Sequence, residues 1–279
     1  LWSPNWAGAS PALTKIICGF AITQLVVMNC EVRSLGIVPY NDAWQLQKDL
    51  AAQRALNQIP DTLLLLEHPH TYTLGRSGHA ENLLLKEEEW ARRGITVEWV
   101  DRGGDITYHG PGQLVGYPIL KLGDAITADG RIPQGDYVGY IRKLEEMLIR
   151  TVAQFGIVSG QMKGITGVWV QPDAASRCPH CPPSAKLAPS KIAAIGVKVD
   201  ARGISQHGFA LNVHPDMSYF DDIIACGLRD HAVISMADLM MDSPDFQHVK
   251  DEVVRQFGSV FQHSMIQSVD TAGLRSNRV

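Results

Sequence analysis

Five glycines and a proline crowd the sixteen residues Arg102-Gly-Gly-Asp-Ile-Thr-Tyr-His-Gly-Pro-Gly-Gln-Leu-Val-Gly-Tyr117. Glycine lets the main chain approach a ligand closely and reach positive φ without steric cost. The run Ile95-Thr-Val-Glu-Trp-Val100 before it alternates like a strand, and Leu114 to Leu120 after it reads as another. The stretch is therefore a glycine-rich bend between two strands, with Thr107, Tyr108 and His109 at its tip, and it has the look of a binding site. The plainer alternative is a tight hairpin whose histidine satisfies nearby backbone.

The flanking sequence favours a single α/β (α+β) domain with a mixed β-sheet flanked by helices. Glu31 to Val38 reads as a strand, and Ala43 to Asn57 as a helix capped by Asn41 or Asp42. Thr62-Leu-Leu-Leu-Leu66 suits a strand buried on both faces, followed by a second glycine-punctuated loop, 68–78. Leu83 to Arg93 is a short helix stopped by Gly94, and 124–134 is a surface connection. Asp136 to Phe155 is amphipathic at helical spacing. Strands are expected at 157–161, 167–170, 191–199 and 205–213, and a closing helix at 245–263. No G-x-G-x-x-G follows a first strand, so a doubly wound dinucleotide fold fits less well.

The domain is taken as 28–263, with a proline-rich insertion at 172–190 and a polar, frayed tail at 264–279. Residues 1–27 are read as a dispensable extension. Their apolar run from Lys15 to Met28 is too short and too interrupted for a membrane span, and no small-x-small cleavage site follows.

A formal net charge of −4 argues against nucleic-acid binding through a broad basic surface, while leaving room for a local basic patch that receives an acidic protein. Five cysteines at irregular spacing form no secreted disulfide framework, which points to a cytoplasmic protein with reduced thiols. Cys178-Pro-His-Cys181 supplies two ligands where a structural zinc needs four, so it is read as part of an exposed loop, with no metal.

Two residues carry the chemistry. Cys226 stands between the small residues Ala225 and Gly227, which leave its sulfur open to a carbonyl. Its thiolate is the reactive form, and a nearby ammonium favours it. Lys191 heads the apolar run Ile192-Ala-Ala-Ile-Gly-Val197, where a lysine head group is partly desolvated and exchanges protons readily. A Cys/Lys pair suits acyl transfer through a thioester. The plain readings are a buried thiol and a solvated strand-end lysine, and spacing alone does not bring the two together.

The stretch 102–117 closely resembles the signature of the lipoyl(octanoyl) transferases. Tyr72-Thr-Leu-Gly-Arg-Ser-Gly78, Lys191-Ile-Ala-Ala-Ile-Gly196 and His207-Gly-Phe-Ala-Leu-Asn212 with Ala225-Cys-Gly-Leu228 agree in the family's order, so the likeness spans about Met28 to Phe257. The resemblance implies transfer of an octanoyl (or lipoyl) group from acyl carrier protein to a lysine of lipoyl domains. The acceptors implied are acyltransferase subunits of the 2-oxoacid dehydrogenases and the glycine cleavage H protein. Cys226 would carry the acyl group as a thioester, and Lys191 would lower its pKa. Substrate contacts would fall on Arg102, Gly103, Gly104, Asp105, Ile106, Thr107, Tyr108 and His109, on Ala194, Ile195 and Gly196, and on Gly208, Phe209 and Ala210. His109 would help position or deprotonate an attacking group. A biotin/lipoate protein ligase-like fold follows, with no cofactor, since the acyl group arrives on its carrier; a monomer is expected, with no nucleic acid or membrane partner.

Two departures stand out: Ala225 replaces the family's proline, and the insert before Lys191 is longer than the family needs. The alternative function is an ATP-dependent lipoate or biotin-type ligase, which needs no acyl-cysteine. A cysteine hydrolase using Cys226 and His109, and a non-catalytic carrier-binding paralogue, are further rivals. Arg33, Arg76, Arg92 and Arg93 are candidates for docking acidic partner proteins.

Overall fold

The computed structural model describes residues 28–123, 136–176, 181, 183–224 and 231–268. Strand β1 (Met28–Ile37) is followed by helix α1 (Tyr40–Ala55), β2 (Asp61–Glu67), β3 (Thr71–Leu74), α2 (Glu87–Arg92), β4 (Thr96–Trp99), β5 (Ile106–His109) and β6 (Gln113–Ile119). Next come α3 (Tyr137–Ala153), β7 (Gly160–Met162), β8 (Ile165–Val170), α4 (Pro172–Ser176) and α5 (Pro183–Leu187). The chain closes with β9 (Ser190–Val199), β10 (Ser205–Asn212), β11 (Ala232–Val233), α6 (Phe246–Phe261) and β12 (His263–Gln267).

Among the described residues the strands form two sheets. The larger runs β12-β1-β2-β6-β10-β9-β8-β7, with β11 beside β9; the smaller runs β4-β3-β5. Pairing is parallel for β12, β1 and β2 and antiparallel from β2 through to β7. The sheet is mixed, with helices on its faces, as expected.

Strand β2 shows why its apolar run is unbroken. Successive side chains of a strand point to opposite faces. Leu63 and Leu65 enter the main core with α3 and α6, while Leu64 and Leu66 enter a second core against α1. Helices α3 and α6 each turn one apolar face inward, and each is capped by an aspartate: Asp136 accepts from Gly139 N and Asp245 from His248 N, both at 2.7 Å. Buried Glu145 of α3 accepts from Gly167 N at 3.1 Å, tying that helix to β8.

Several elements differ from expectation. Helix α1 begins at Tyr40 behind Pro39, so neither Asn41 nor Asp42 caps it; Asn41 instead donates to Glu98 at 2.7 Å. The stretch 68–78, read as loop, contains β3. Thr107, Tyr108 and His109 do not stand at the tip of a bend: they lie in β5, paired with β3. The insert is no free loop, since α4 delivers Ala175 and α5 Ala185 to the main core, and Cys181 between the two helices joins them there. Residues 264–267, assigned to a tail, belong to β12 along β1. The 124–134 connection lies outside the described residues. Among the described residues, no helix is long and apolar enough to cross a membrane.

Candidate active site

The small sheet packs its β5 edge over the centre of the large one, and a half-open cavity lies between them. Arg102 to Thr107 and His109 form one wall; Ala194, Ile195 and Gly196 of β9 and Gly208, Phe209 and Ala210 of β10 form the other, with Lys191 at the rim. Alternation along β5 explains the exception. Thr107 and His109 line the cavity, while Tyr108 faces away, its ring 5.0 Å from that of Tyr219 and its hydroxyl 2.8 Å from His70 Nδ1.

Glycine makes the wall possible. A Cβ on Gly75 would collide with Gly104 O and come within 2.7 Å of an Arg102 guanidinium nitrogen. With that space clear, Arg102 lies buried against β3. Its Nη2 donates to Thr73 O at 2.6 Å and Thr73 Oγ1 at 2.9 Å, and its Nη1 to Gly103 O at 2.9 Å.

Lys191 is only 8% exposed, and its Nζ lies 4.7 Å from the centre of the Trp169 ring. Trp169 is its registered neighbour on β8, so two adjacent strands hold cation and ring together. Lys191 also borders a smaller cavity with Thr107, Gln113, Asn212 and Val233, and a wide open groove lined by Ser77, His79, Asn82 and Thr166. The cavity and both neighbouring spaces thus meet at Lys191.

Cys226 lies outside the described residues, as do Ala225 and Gly227. The chain on either side of that stretch is anchored near the lysine. Ile224 N donates to Asn82 O at 2.8 Å, and Ala232 and Val233 pair with Ser190 and Lys191.

Hydrogen-bond bookkeeping fixes the state of His109. Gln113 Nε2 donates to Tyr108 O at 3.1 Å and Asn212 Oδ1 at 2.9 Å, so Gln113 Oε1 must accept from His109 Nδ1 at 2.7 Å. His109 Nε2 is then an acceptor. Burial, reinforced by neighbouring His68, holds this imidazole well below its ordinary pKa and keeps it neutral.

Tyr40, Tyr117 and His207 also line the cavity, and the sequence reading did not assign them to it. His207 adopts φ +56° within β10, a conformation that costs a non-glycine residue on the order of 1–3 kcal/mol. Its backbone N donates to Gln47 Oε1 at 2.7 Å, and its Nε2 donates to Asp101 Oδ1 at 2.8 Å. That bond and Lys198 depress the Asp101 carboxyl. Behind the cavity, His68 Nδ1 donates to Val38 O and its Nε2 accepts from the Tyr117 hydroxyl, both at 2.7 Å. The available signal was local: His207 adjoins Gly208, and Tyr117 closes the glycine-rich stretch.

Burial lowers the His68 pKa to about 4 from 6.5, against the weaker pull of the Val38 carbonyl. The unfolded chain therefore binds a proton that the folded one refuses, so this contribution is full above 6.5 and lost as pH falls towards 4. Urea melts are expected to show a loss of about 3 kcal/mol over that window from this group, with a flatter profile in His68→Gln.

The docking arginines are largely engaged within the chain. Arg33 chelates Glu31, Arg93 pairs with Asp222 at 2.6 Å, and Arg92 donates to Glu88 O, whereas Arg76 is exposed. Cys181 is buried in the core rather than exposed in a loop, while Cys178 and His180 lie outside the described residues. Among the described residues no group of three or more His, Cys, Asp or Glu is placed to hold a metal.

Known proteins agree with this architecture. The chain is 44% identical to an octanoyltransferase of Chloroflexus aurantiacus over 230 residues, covering 82% of this chain and 93% of that one. It is 42% identical to an octanoyltransferase of Solibacter usitatus, covering 88% and 98%. Its fold matches a bipartite lipoate protein ligase from Thermoplasma acidophilum (TM-score 0.64, 17% identity, 86% and 87% coverage). It also matches a lipoate-protein ligase A bound with ATP (TM-score 0.61, 17% identity, 87% and 90% coverage). At such identities the likeness concerns the fold alone. The sequence model of the lipoyl protein ligase A/B catalytic domain matches residues 39–258, a span from the start of α1 to near the end of α6, and the chain belongs to that family.

Proposed function

We propose that this protein is an octanoyltransferase that moves an octanoyl group from acyl carrier protein to a lysine of lipoyl domains through a thioester on Cys226. The observation that carries the reading is the position of Lys191, nearly buried where a half-open cavity meets a wider groove, in a chain 44% identical to an octanoyltransferase. The cavity takes the acyl chain, and the groove admits the carrier arm and then the acceptor lysine.

Each step balances on two groups. Lys191 holds the proton of Cys226 as ammonium, leaving a thiolate. The thiolate adds to the thioester carbonyl, and the carrier's thiolate departs, taking that proton from Lys191. The uncharged amine of the acceptor lysine then attacks the acyl-cysteine. Its excess proton passes to Lys191, and the Cys226 thiolate leaves, restoring the starting pair. Neutral His109, whose Nε2 accepts from the Thr73 hydroxyl at 3.4 Å, helps position an attacking group without adding a charge to the cavity.

Intact mass after mixing the protein with octanoyl-acyl carrier protein tests this. A gain of one octanoyl group is expected, absent in Cys226→Ser and discharged by an apo lipoyl domain. No adduct, together with ATP-dependent modification from free octanoate, would make the protein a ligase instead.

A further inference from the structure

Following every hydrogen in the network behind Lys191 leaves two donors over. Asn212 is 2% exposed. Its Oδ1 accepts from Gln113, and one Nδ2 hydrogen goes to Ile234 O at 3.1 Å. A carboxamide nitrogen has two hydrogens, and the second takes no partner among the described residues. The Thr107 hydroxyl, on a side chain 9% exposed, likewise takes none. Both side chains line the small cavity beside Lys191, and Thr107, Lys191 and Ala194 also line the larger one. Thr107 thus borders both cavities with Lys191, and Asn212 borders the smaller one with them.

We infer that Thr107 Oγ1 and Asn212 Nδ2 form the oxyanion site of the acyl transfer. The inference rests on the reading of Cys226 as the acyl carrier. When the thiolate adds to the thioester carbonyl, a carbon–sulfur bond forms and the carbonyl π pair moves onto oxygen. Expulsion of the departing thiolate returns that pair to the C=O bond. The oxygen is anionic only between these events, and donors already fixed by a strand and a network stabilise it without rearranging. Asn212 is well prepared for this, because its amide plane is held at one side by Gln113 and at the other by Ile234. Thr107 is fixed by the pairing of β5 with β3, opposite Thr73.

Thr107→Val keeps the branched shape and removes the hydroxyl, whereas Thr107→Ser keeps the hydroxyl. Two reactions of Cys226 are compared in each protein: octanoylation by octanoyl-acyl carrier protein in a single turnover, and alkylation by iodoacetamide. Alkylation displaces iodide and passes through no oxyanion. Octanoylation is expected to slow by about 10²-fold in Thr107→Val, with alkylation unchanged and Thr107→Ser close to wild type. Equal slowing of both reactions would make Thr107 a packing residue, and unchanged octanoylation would remove it from the reaction. Either result overturns the inference. A wild-type protein that is alkylated but never octanoylated would overturn the acyl-enzyme reading itself.

Discussion

Lys191→Ala is expected to slow octanoyl transfer by at least about 10²-fold, the scale set by losing a positioned proton donor and acceptor. Two measurements separate the proposed role from a packing one. The rate of Cys226 alkylation near neutral pH should fall, because the thiol loses the ammonium that favours its thiolate, and raising the pH should recover it. Thermal stability should change little by comparison. An alkylation profile identical to wild type would leave Lys191 no part in activating the thiol. Lys191→Arg is not expected to rescue transfer: guanidinium carries the charge but does not release its proton at these pH values. The arginine variant therefore separates charge from proton transfer, with alkylation partly kept and turnover lost. The Trp169 ring beside the Nζ atom bears on both results, since it offers the cation a favourable face without accepting its proton.

The largest effect on stability is expected from Gly208→Ala. A Cβ there would collide with Gly116 O and approach Pro118 Cδ at 2.7 Å. Both obstacles belong to β6, a central strand bonded to β2 on its other side, so the backbone has little freedom to yield. A loss of about 3 kcal/mol follows, which lowers the midpoint of thermal unfolding by roughly 10 °C. Gly116→Ala makes the instructive comparison. Its Cβ would run into the outer atoms of the Phe209 ring rather than main chain, and a side chain is able to turn aside. The midpoint of Gly116→Ala should therefore lie between those of wild type and Gly208→Ala. The opposite order, read by circular dichroism, would show that the ring is held more firmly than the strand.

The parts of this fold legible in sequence are those where local pattern and final environment agree. The leucine run of β2 has both faces buried, and the amphipathic residues of α3 and α6 meet one core each. Strands β3 and β5 escaped notice because each has four residues and stands beside glycine-rich chain, where turn chemistry dominates the local signal. Strand β12 escaped because it lies on an edge, where polar residues are at home. The site divides in the same way. Motifs named the segments that wall the cavity, since close backbone approach demands glycine at fixed points. Tyr40 carries no such mark, because only the crossing of α1 over β10 brings it to the cavity. The meeting of Lys191 with Trp169 is likewise a matter of register between β8 and β9, which spacing along one strand does not reveal.

The insert before Lys191 changes how this enzyme should be engineered. Its two short helices contribute Ala175 and Ala185 to the main core, Cys181 between them joins that core, and α5 touches β11, the strand that pairs with Ser190 and Lys191. Trimming 172–190 to tidy a surface would thus loosen the footing of the lysine. Variation in this segment is a means of tuning reactivity from behind the site, without altering any group that meets the substrate.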